Sequence, residues 1–244
     1  MEKRVLLKVR GVDYLFSYCP PGRFLMGAPE HENGRDGDET EHEIILTHGF
    51  YILITPVTQK MWTSLMGTNP SRFQGTSLPV EMVSWDDCQL FCRQLSSETG
   101  KQIQLPTEAQ WEYACRAETV GPYAGCDTLE MMGWFHENSR NKSHPVGMKA
   151  SNPWHIYDMH GNVSEWCQDW YSEFTGETLT DPTGPEDGSY RVTRGGSWNS
   201  FAQSCRSAFR GALYPWKTSS QLGFRVIMTE NSENNDKNNA VTSF

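Results

Sequence analysis

Residues 105–114 read LPTEAQWEYA, and this stretch contains a complete signal for the start of an α-helix. Thr107 and Gln110 have the spacing of a capping box, in which each side chain bonds the backbone N–H of the other residue. Apolar residues then follow at helical spacing. The residues that this helix would bury are Trp111, Ala114 and Cys115. The middle of the chain is therefore predicted to be helical.

Two further helices are predicted upstream of this stretch. Thr58 can cap the first helix, which Gly67 would end. Ser84 can cap the second helix, which Gly100 would end. The apolar positions of the second helix, at i, i+3, i+4 and i+7, are Cys88, Phe91, Cys92 and Leu95. Strands are predicted nearer the chain ends, at residues 12–18, 22–26, 44–46, 50–54 and 223–228.

The segment from residue 118 to residue 220 shows little regular periodicity, yet it contains six of the nine tryptophans. Because these large rings can be buried, we expect the segment to be ordered although it is irregular. Backbone groups outside helices and sheets still need partners, which side chains, bound ions or water must supply.

Length and charge narrow the classes of function. A chain of 244 residues fits one large domain, which we place at 1–228, followed by a polar, Asn-rich tail at 229–244. The net charge of −9 leaves no basic surface for phosphates, so nucleic acid is not expected as a partner. No apolar run approaches the roughly 20 residues that cross a bilayer, and charges interrupt the N-terminal run early. Membrane insertion and a signal peptide are therefore not predicted, and the chain as given is expected to be cytoplasmic.

Five strings of sequence occur in order along the chain. They are PGRFLMG (21–27), LPTEAQWEYA (105–114), YDMHGNVSEW (157–166), RGGSW (194–198) and GFR (223–225). Together they resemble the formylglycine-generating enzyme family, also called sulfatase-modifying factor domains, and the resemblance extends from about residue 16 to residue 228. It implies an α+β domain with a variant of the C-type lectin fold, low in regular secondary structure and often stabilised by calcium.

The members of this family fall into several functional classes. Formylglycine-generating oxidases use copper(I), held by two cysteines, and molecular oxygen to oxidise a substrate cysteine to formylglycine. Other members form C–S bonds with the help of an added iron-binding domain. Non-catalytic members bind ligands, and one branch comprises the variable proteins of diversity-generating retroelements. In that branch the stretch from RGGSW to GFR is mutated to create new binding surfaces.

The copper site of the oxidases is incomplete in this sequence. The resemblance places its first ligand at Ser200 and its second at Cys205. Copper(I) is a soft ion that prefers two thiolates, and a serine hydroxyl cannot replace one of them. Ser164 also stands where the oxidases have a tryptophan beside the oxygen pocket, although Ser197 is retained. We therefore expect no copper and no catalytic residue, and keep as the alternative a formylglycine-generating or related thiol oxidase that acts through Cys205 and Ser197.

The seven cysteines show no zinc-binding spacing. The resemblance implies that Cys92 and Cys115 occupy positions of family disulfides, but the expected partner positions are Val226 and Arg210. Neither bridge can form, which favours a reducing compartment. We expect most of the cysteines to be buried free thiols.

Calcium is the metal that the resemblance implies. The ion takes six to eight oxygen ligands, and a loop with carboxylates at its ends and carbonyls between them can supply several. The first predicted site consists of Asp158, Gly161, Val163 and Glu165. A second family site maps to Asn138 and Ser139, but its downstream acidic ligand has no match here. The alternative for both sites is that Asn and Asp form turns.

Residues 199–221 differ from the Asn-rich form that this stretch has in the variable proteins. Randomising the adenines of AAY codons for Asn yields Ser, Phe, Gly, Ala, Leu and Tyr without a stop codon, and these residues occur here. Trp216, Lys217 and Gln221 would have to be encoded by the template. The predicted ligand-binding residues are Asn199, Ser200, Phe201, Ser204, Phe209, Leu213, Tyr214 and Trp216.

Aromatic residues among small ones make a surface similar to an antibody paratope. We therefore predict a non-catalytic, calcium-stabilised binding protein whose surface at 199–221 is diversified by a retroelement. Its ligand is expected to be a protein or another macromolecule, and display on a cell surface or a virion is compatible with this function. Two alternatives to the diversified surface remain open: ordinary packing of the loop aromatics, and an interaction domain in signalling or phage assembly.

Overall fold

The computed structural model describes residues 4–124 and 128–229, and within them the protein has twelve strands and four helices. The strands are β1 (Arg4–Val9), β2 (Val12–Cys19), β3 (Gly22–Met26), β4 (His42–Leu46), β5 (Phe50–Leu53), β6 (Ile103–Gln104), β7 (Ser164–Trp170), β8 (Leu179–Thr180), β9 (Arg191–Arg194), β10 (Arg210–Leu213), β11 (Leu222–Gly223) and β12 (Ile227–Thr229). The helices are α1 (Gln59–Met66), α2 (Trp85–Thr99), α3 (Glu108–Arg116) and α4 (Leu129–Met132), and a 3₁₀ turn covers Ala202–Cys205. The α+β fold with short elements agrees with the prediction.

The three predicted helices form, and their predicted caps are present. Thr58, Ser84 and Thr107 each accept a hydrogen bond from the backbone N–H three residues later, so that α1, α2 and α3 start where the capping signals place them. Gly67 and Gly100 adopt the left-handed conformation that ends α1 and α2. The first two helices pack their apolar faces against the largest sheet.

That sheet has the strand order β1-β2-β5-β12-β6. β1 and β2 form a hairpin in which Val9 pairs with Val12, and the turn residues Arg10 and Gly11 both have positive φ, as the twist of a two-residue hairpin requires. Strand β12, near the end of the described chain, inserts between β5 and β6. The sheet thus joins the two ends of the domain and buries the main core beneath α1 and α2.

A second sheet, with order β10-β9-β7-β11, lies in the part of the chain where the sequence showed no periodicity. Strands β7, β9 and β10 were not predicted. The reason is visible in β7, where consecutive residues Glu165, Trp166 and Cys167 are all buried. A strand covered on both faces lacks the alternation of polar and apolar residues that identifies a strand from sequence.

The strand predicted at 223–228 is two strands. β11 pairs in parallel with β7 of the second sheet, and β12 pairs with β5 of the first sheet. The residues between them cross from one sheet to the other, and Arg225 extends from this crossing to bond the carbonyls of Leu53 and Tyr157 at 3.2 and 2.9 Å. The crossing therefore connects the two sheets through a buried guanidinium.

A network of buried ion pairs fixes α3 against β9 and β10. Arg194 bonds Glu108 at 2.7 Å and also contacts Glu112, while Arg210 bonds Glu108 at 2.7 and 2.8 Å. Arg116 bonds Glu112 one turn away and is only 7% exposed. As the helical neighbour of the buried Cys115, Arg116 would be expected at the surface, but Glu112 and the carbonyls of Gly27 and Gly121, at 2.7 and 3.2 Å, hold its guanidinium inside.

A small outer sheet, β3-β4-β8, completes the architecture. Among the described residues, no helix is long and apolar enough to cross a membrane. The predicted tail at 229–244 lies, except for Thr229, outside the described residues. The boundary between domain and tail stays a prediction.

Candidate functional site

The predicted binding stretch, residues 199–221, starts and ends at the same point of the scaffold. The indole nitrogen of Trp198 donates to the carbonyl of Ser220 at 2.8 Å, and the Trp198 ring packs edge-on against Phe73. The turn before Trp198 needs glycine, because Gly196 has a φ of +66° and a Cβ there would lie 2.5 Å from the Ser204 carbonyl oxygen. The RGGSW string is buried, and it anchors the start of the binding stretch to the scaffold.

Three exposed aromatic rings, Tyr190, Tyr214 and Trp216, form one continuous stack, which we call the aromatic ladder. The Tyr190 and Tyr214 ring centroids are 4.5 Å apart, and those of Tyr214 and Trp216 are 4.6 Å apart at an interplanar angle of 15°. The Tyr190 hydroxyl also bonds the Tyr214 hydroxyl at 3.0 Å. The exposed fractions are 39, 43 and 68% respectively, so these rings support one another but remain open to a partner.

The aromatic ladder continues into a second stack that involves an arginine. The Arg191 guanidinium lies between the rings of Trp85 and Trp170, 3.8 and 3.5 Å from their centroids. The Trp85 backbone N–H donates to the Pro215 carbonyl at 2.9 Å, which joins this stack to the residue between Tyr214 and Trp216. The ladder is thus linked through Trp85 to α2 and through Arg191 to the second sheet.

Phe201 lies at the other end of the predicted stretch. It is 60% exposed and contacts the ring of His136, with centroids 4.9 Å apart. The backbone N–H of His136 donates to the Ser200 carbonyl at 2.9 Å. Phe201 therefore adds an apolar contact beside Asn199, which is also exposed.

The structure divides the predicted ligand-binding residues into two groups. Asn199, Phe201, Tyr214 and Trp216 are exposed, whereas Ser200, Ser204, Phe209 and Leu213 are half-buried. Leu213 packs against the main core, and the Ser200 hydroxyl accepts from the Ser197 backbone N–H at 3.0 Å. The alternative that residues of this stretch only pack within the fold therefore applies to Leu213, whereas Tyr214 and Trp216 are exposed and available for binding.

Sequence reasoning missed Tyr190, Trp85 and Arg191 as parts of this surface. Tyr190 directly precedes β9, Arg191 begins β9, and Trp85 begins α2, so they are separated from Tyr214 by about 20 and 130 residues of chain. The available signal was weak: Tyr190 and Arg191 adjoin each other, and Trp85 directly follows the helix cap Ser84.

Cys205, the residue of the enzymatic alternative, has no access to solvent. Burial raises the pKa of its thiol to about 12, so it is protonated at neutral pH. A thiolate is the form that binds copper or attacks a substrate.

Ser197, the second residue of that alternative, forms hydrogen bonds through its hydroxyl with the side chains of Ser200 and Gln221. The six described cysteines are all buried free thiols, and Cys126 lies outside the described residues.

The first predicted calcium loop has one carboxylate without a cationic partner and one that is already paired. Asp158 is 2% exposed, and its carboxylate accepts from the Gly147 backbone N–H at 2.7 Å. Burial raises its pKa to about 6. Glu165, in contrast, accepts from Arg225 at 2.6 and 2.7 Å and from the Trp111 indole at 2.7 Å. A calcium ion here would have to share Glu165 with a guanidinium.

The second predicted calcium site has the contacts of a turn. The Asn138 amide accepts from the Phe135 backbone N–H and donates to the Gly133 carbonyl, both at 2.9 Å. The Ser139 carbonyl contacts the His144 ring nitrogen at 2.6 Å. Because these oxygens already have partners, the arrangement favours the turn-forming alternative over a metal site.

Known proteins resemble this chain over most of its length. Chaperone protein LppX of Paenibacillus barcinonensis is 29% identical over 234 residues, which cover 74% of this chain and 80% of LppX. The formylglycine-generating enzyme of Streptomyces coelicolor is 34% identical over 192 residues, which cover 67% of this chain and 59% of that enzyme. The solved structure of Treponema denticola variable protein 1 is similar with a TM-score of 0.88 at 29% identity, covering 93% of this chain and 99% of that one.

Several other relatives are much longer proteins, and the chain spans 36 to 37% of the length of three of them. The match to the family itself extends over residues 16–230. This range contains all five strings of sequence and all three sheets apart from β1 and the first residues of β2. The chain therefore belongs to the family described as the sulfatase-modifying factor enzyme 1-like domain.

Proposed function

We propose that this protein is a non-catalytic binding protein that contacts a protein or another macromolecule through residues 199–221 and the aromatic ladder. The observation that carries the proposal is the ladder itself, in which three exposed rings are stacked before any ligand arrives. Ordering flexible side chains costs free energy on binding, and rings that are already fixed avoid part of that cost. Aromatic residues in such positions are typical of binding hot spots.

The likeness to a variable protein supports a further step, in which a retroelement diversifies this surface. Tyr214 and Phe201 are residues that adenine mutagenesis of Asn codons can produce, and both are exposed. Tyr190 and Trp85 lie outside the stretch and Trp216 is fixed by the template. The proposed surface thus combines variable positions with constant aromatic neighbours.

The DNA around the gene tests this step. We expect a reverse transcriptase gene and a near-copy of the segment that encodes residues 198–225, differing from it only at adenines. A locus without both would refute diversification and leave a binding protein with a fixed surface.

A protein and glycan array tests binding. The wild-type protein is compared with the double variant Tyr214→Ala/Trp216→Ala and with Leu25→Ala, a matched control at another exposed apolar residue, on β3. We expect ligands that bind the wild type and Leu25→Ala but lose at least about tenfold in affinity for the double variant. Equal binding by all three proteins would contradict the proposed surface.

We also propose that the protein does not catalyse thiol oxidation, because Cys205 is a buried, protonated thiol and Ser200 stands where the oxidases have their other copper-binding cysteine. A cysteine-containing sulfatase peptide, incubated with the protein, copper and a reductant, is expected to stay unmodified by mass spectrometry. Multiple-turnover conversion of its cysteine to formylglycine would show that the oxidase alternative is right.

Calcium is proposed as a structural ion at Asp158 and the carbonyls of Gly161 and Val163. The support is chemical: the buried Asp158 carboxylate forms no ion pair with any described arginine, lysine or histidine, and carboxylate and carbonyl oxygens are the ligands that calcium takes. When bound, the ion would neutralise a buried carboxylate whose hydrogen bonds come from neutral donors, the Gly147 backbone N–H and the Asn162 side-chain amide.

A further inference from the structure

A cleft of about 420 Å³ lies between the outer sheet β3-β4-β8, the start of α3 and the end of β7. Its volume is in the range of sites that bind small molecules. Its apolar wall consists of Met26, Ile44, Phe174 and Leu179. Of the proposed binding stretch only Arg210 lines the cleft, and the side chain of Arg210 is buried, so this cleft is a separate site.

Two carboxylates lie at the floor of the cleft, and only one of them is neutralised. Glu108 bonds Arg210 through both of its oxygens and also bonds Arg194. Asp169 is 4% exposed and accepts from the Glu108 backbone N–H at 2.8 Å. Within residues 4–124 and 128–229, Asp169 forms no ion pair. Arg210 and Arg191 act on Asp169 only through space, since Arg210 bonds Glu108 and Arg191 bonds the Gln168 carbonyl at 2.6 Å. An ionised Asp169 therefore has no cationic side chain in contact with it among the described residues.

The aromatic rings that line the cleft, Phe174 and Trp170, each already carry a guanidinium, and Arg191 lies 3.5 Å from the Trp170 ring centroid. Arg210 covers Phe174 at 3.6 Å from the ring centroid, and the His42 ring contacts Phe174 at 4.5 Å. The His42 Nδ1 atom also contacts the Thr40 carbonyl at 2.9 Å. A positively charged ligand would therefore be held by a carboxylate rather than by a cation–π contact.

We propose that this cleft binds a primary ammonium group carried on an apolar chain. The ammonium would bond Asp169, and the chain would lie along Met26, Ile44 and Leu179. A charge-assisted hydrogen bond to a buried carboxylate is strong, and removing the chain from water adds to it. A metal ion fits less well, because the arginines pair with Glu108, and Glu173 and Glu177 line the cleft as exposed residues. Asp169 would be the one unpaired carboxylate among the buried lining residues that the structure describes, while hard ions such as calcium require six or more oxygens.

The substitution Asp169→Asn separates this function from the structural role of the residue. Asp169 bonds the first turn of α3 through a side-chain oxygen, and an asparagine retains an oxygen for that bond while losing the charge. The melting temperature and the circular dichroism spectrum of the variant establish that it is folded before binding is measured.

Isothermal titration calorimetry with n-hexylammonium, and with 1-hexanol as the uncharged analogue of equal length, tests the proposal. We expect the wild type to bind hexylammonium at least about tenfold more tightly than hexanol, and Asp169→Asn to lose this preference. A lysine derivative blocked at both backbone ends distinguishes a lysine side chain of a protein from a free amine.

The rim residue Glu177 provides the control, because it is exposed and lines the same cleft. Glu177→Gln is expected to change hexylammonium binding less than twofold. An equal loss in both variants would show general attraction by an acidic surface. That result, equal binding of hexylammonium and hexanol, or no saturable binding up to about 10 mM would each overturn the proposal.

Discussion

Asp169 makes the stability of the protein depend on pH. Burial, and secondly the neighbouring Glu108, raise its pKa to about 7, whereas an aspartate in an unfolded chain has a pKa of about 3.9. Between these values the folded state binds more protons than the unfolded state. The contribution of Asp169 to the free energy of unfolding therefore falls as pH rises from about 4 to about 7, by about 4 kcal/mol in all.

We predict that Asp169→Asn is more stable than the wild type at pH 8, and that this advantage is about 2 kcal/mol smaller at pH 5.5. Urea unfolding of both proteins at pH 5.5 and at pH 8 measures this change in the stability difference. The buried His160, whose pKa is lowered to about 4 by burial, titrates in both proteins and cancels in the comparison. An advantage of Asp169→Asn that is the same at both pH values would mean that Asp169 is ionised in the folded protein throughout this range.

At the scale of elements, buried ion pairs attach α3 to β9. Arg194 is completely buried and contacts Glu108, Glu112 and the Ser207 carbonyl. The substitution Arg194→Met leaves Arg116 as the one cationic partner of Glu112 among the described residues and removes one partner of Glu108. Breaking a buried pair on one side costs about 3–5 kcal/mol, because a charge remains without compensation.

Chemical denaturation of Arg194→Met measures this loss, and Arg23→Met is its matched control. Arg23 pairs with Glu43 at 3.4 Å, but its side chain is 70% exposed, so its removal should cost no more than about 1 kcal/mol. Similar losses in the two variants would show that the buried network contributes no more than a surface pair.

The calcium loop between α4 and β7 gives a third prediction. If calcium binds the folded state alone, a concentration about 100 times its dissociation constant adds about 2.7 kcal/mol, or roughly 5–10 °C in melting temperature for a domain of this size. A chelator should reverse the rise, and Asp158→Asn should abolish it. If the melting temperature of metal-free protein does not change on addition of calcium, the proposed site is refuted. Glu165→Gln is not a suitable test, because Arg225 would lose its counter-ion in either case.

Elements with local signals could be predicted from the sequence, and elements without them could not. The capping residues of α1, α2 and α3 act within one helical turn, so their positions agree with the sequence. Strand β7 is buried on both faces, and the crossing at Arg225 depends on Glu165, which lies 60 residues away. The family strings therefore indicated this part of the fold better than periodicity did.

At the scale of the whole molecule, the sequence predicted the residues of the candidate surface that lie within 199–221 but not their partners from other elements. The stretch 199–221 was recognised from its flanking strings and its composition, and it contains Tyr214 and Trp216. The partners Tyr190, Trp85 and Arg191 reach the same surface through sheet pairing and through the position of α2. The Asp169 cleft has no sequence signal, because it exists only where the outer sheet meets α3 and β7.

A scaffold that displays a variable surface should keep its stability independent of that surface. Trp198 and Trp216 lie in the same region and differ in their surroundings. Trp198 is 6% exposed and bonds the Ser220 carbonyl. Trp216 is 68% exposed, and among the described aromatic rings it contacts that of Tyr214 alone. We predict that Trp198→Ala lowers the free energy of unfolding by about 3–5 kcal/mol and that Trp216→Ala lowers it by less than about 1 kcal/mol.

Urea unfolding curves of the two variants measure the difference, and an unchanged slope with denaturant shows that both unfold from the same folded state. A loss at Trp216 as large as that at Trp198 would contradict the separation, since the aromatic ladder would then be part of the core. In that case the variable Tyr214, which stacks on Trp216 within the ladder, could not change freely without destabilising the domain, and the proposal of a diversified binding surface would fail.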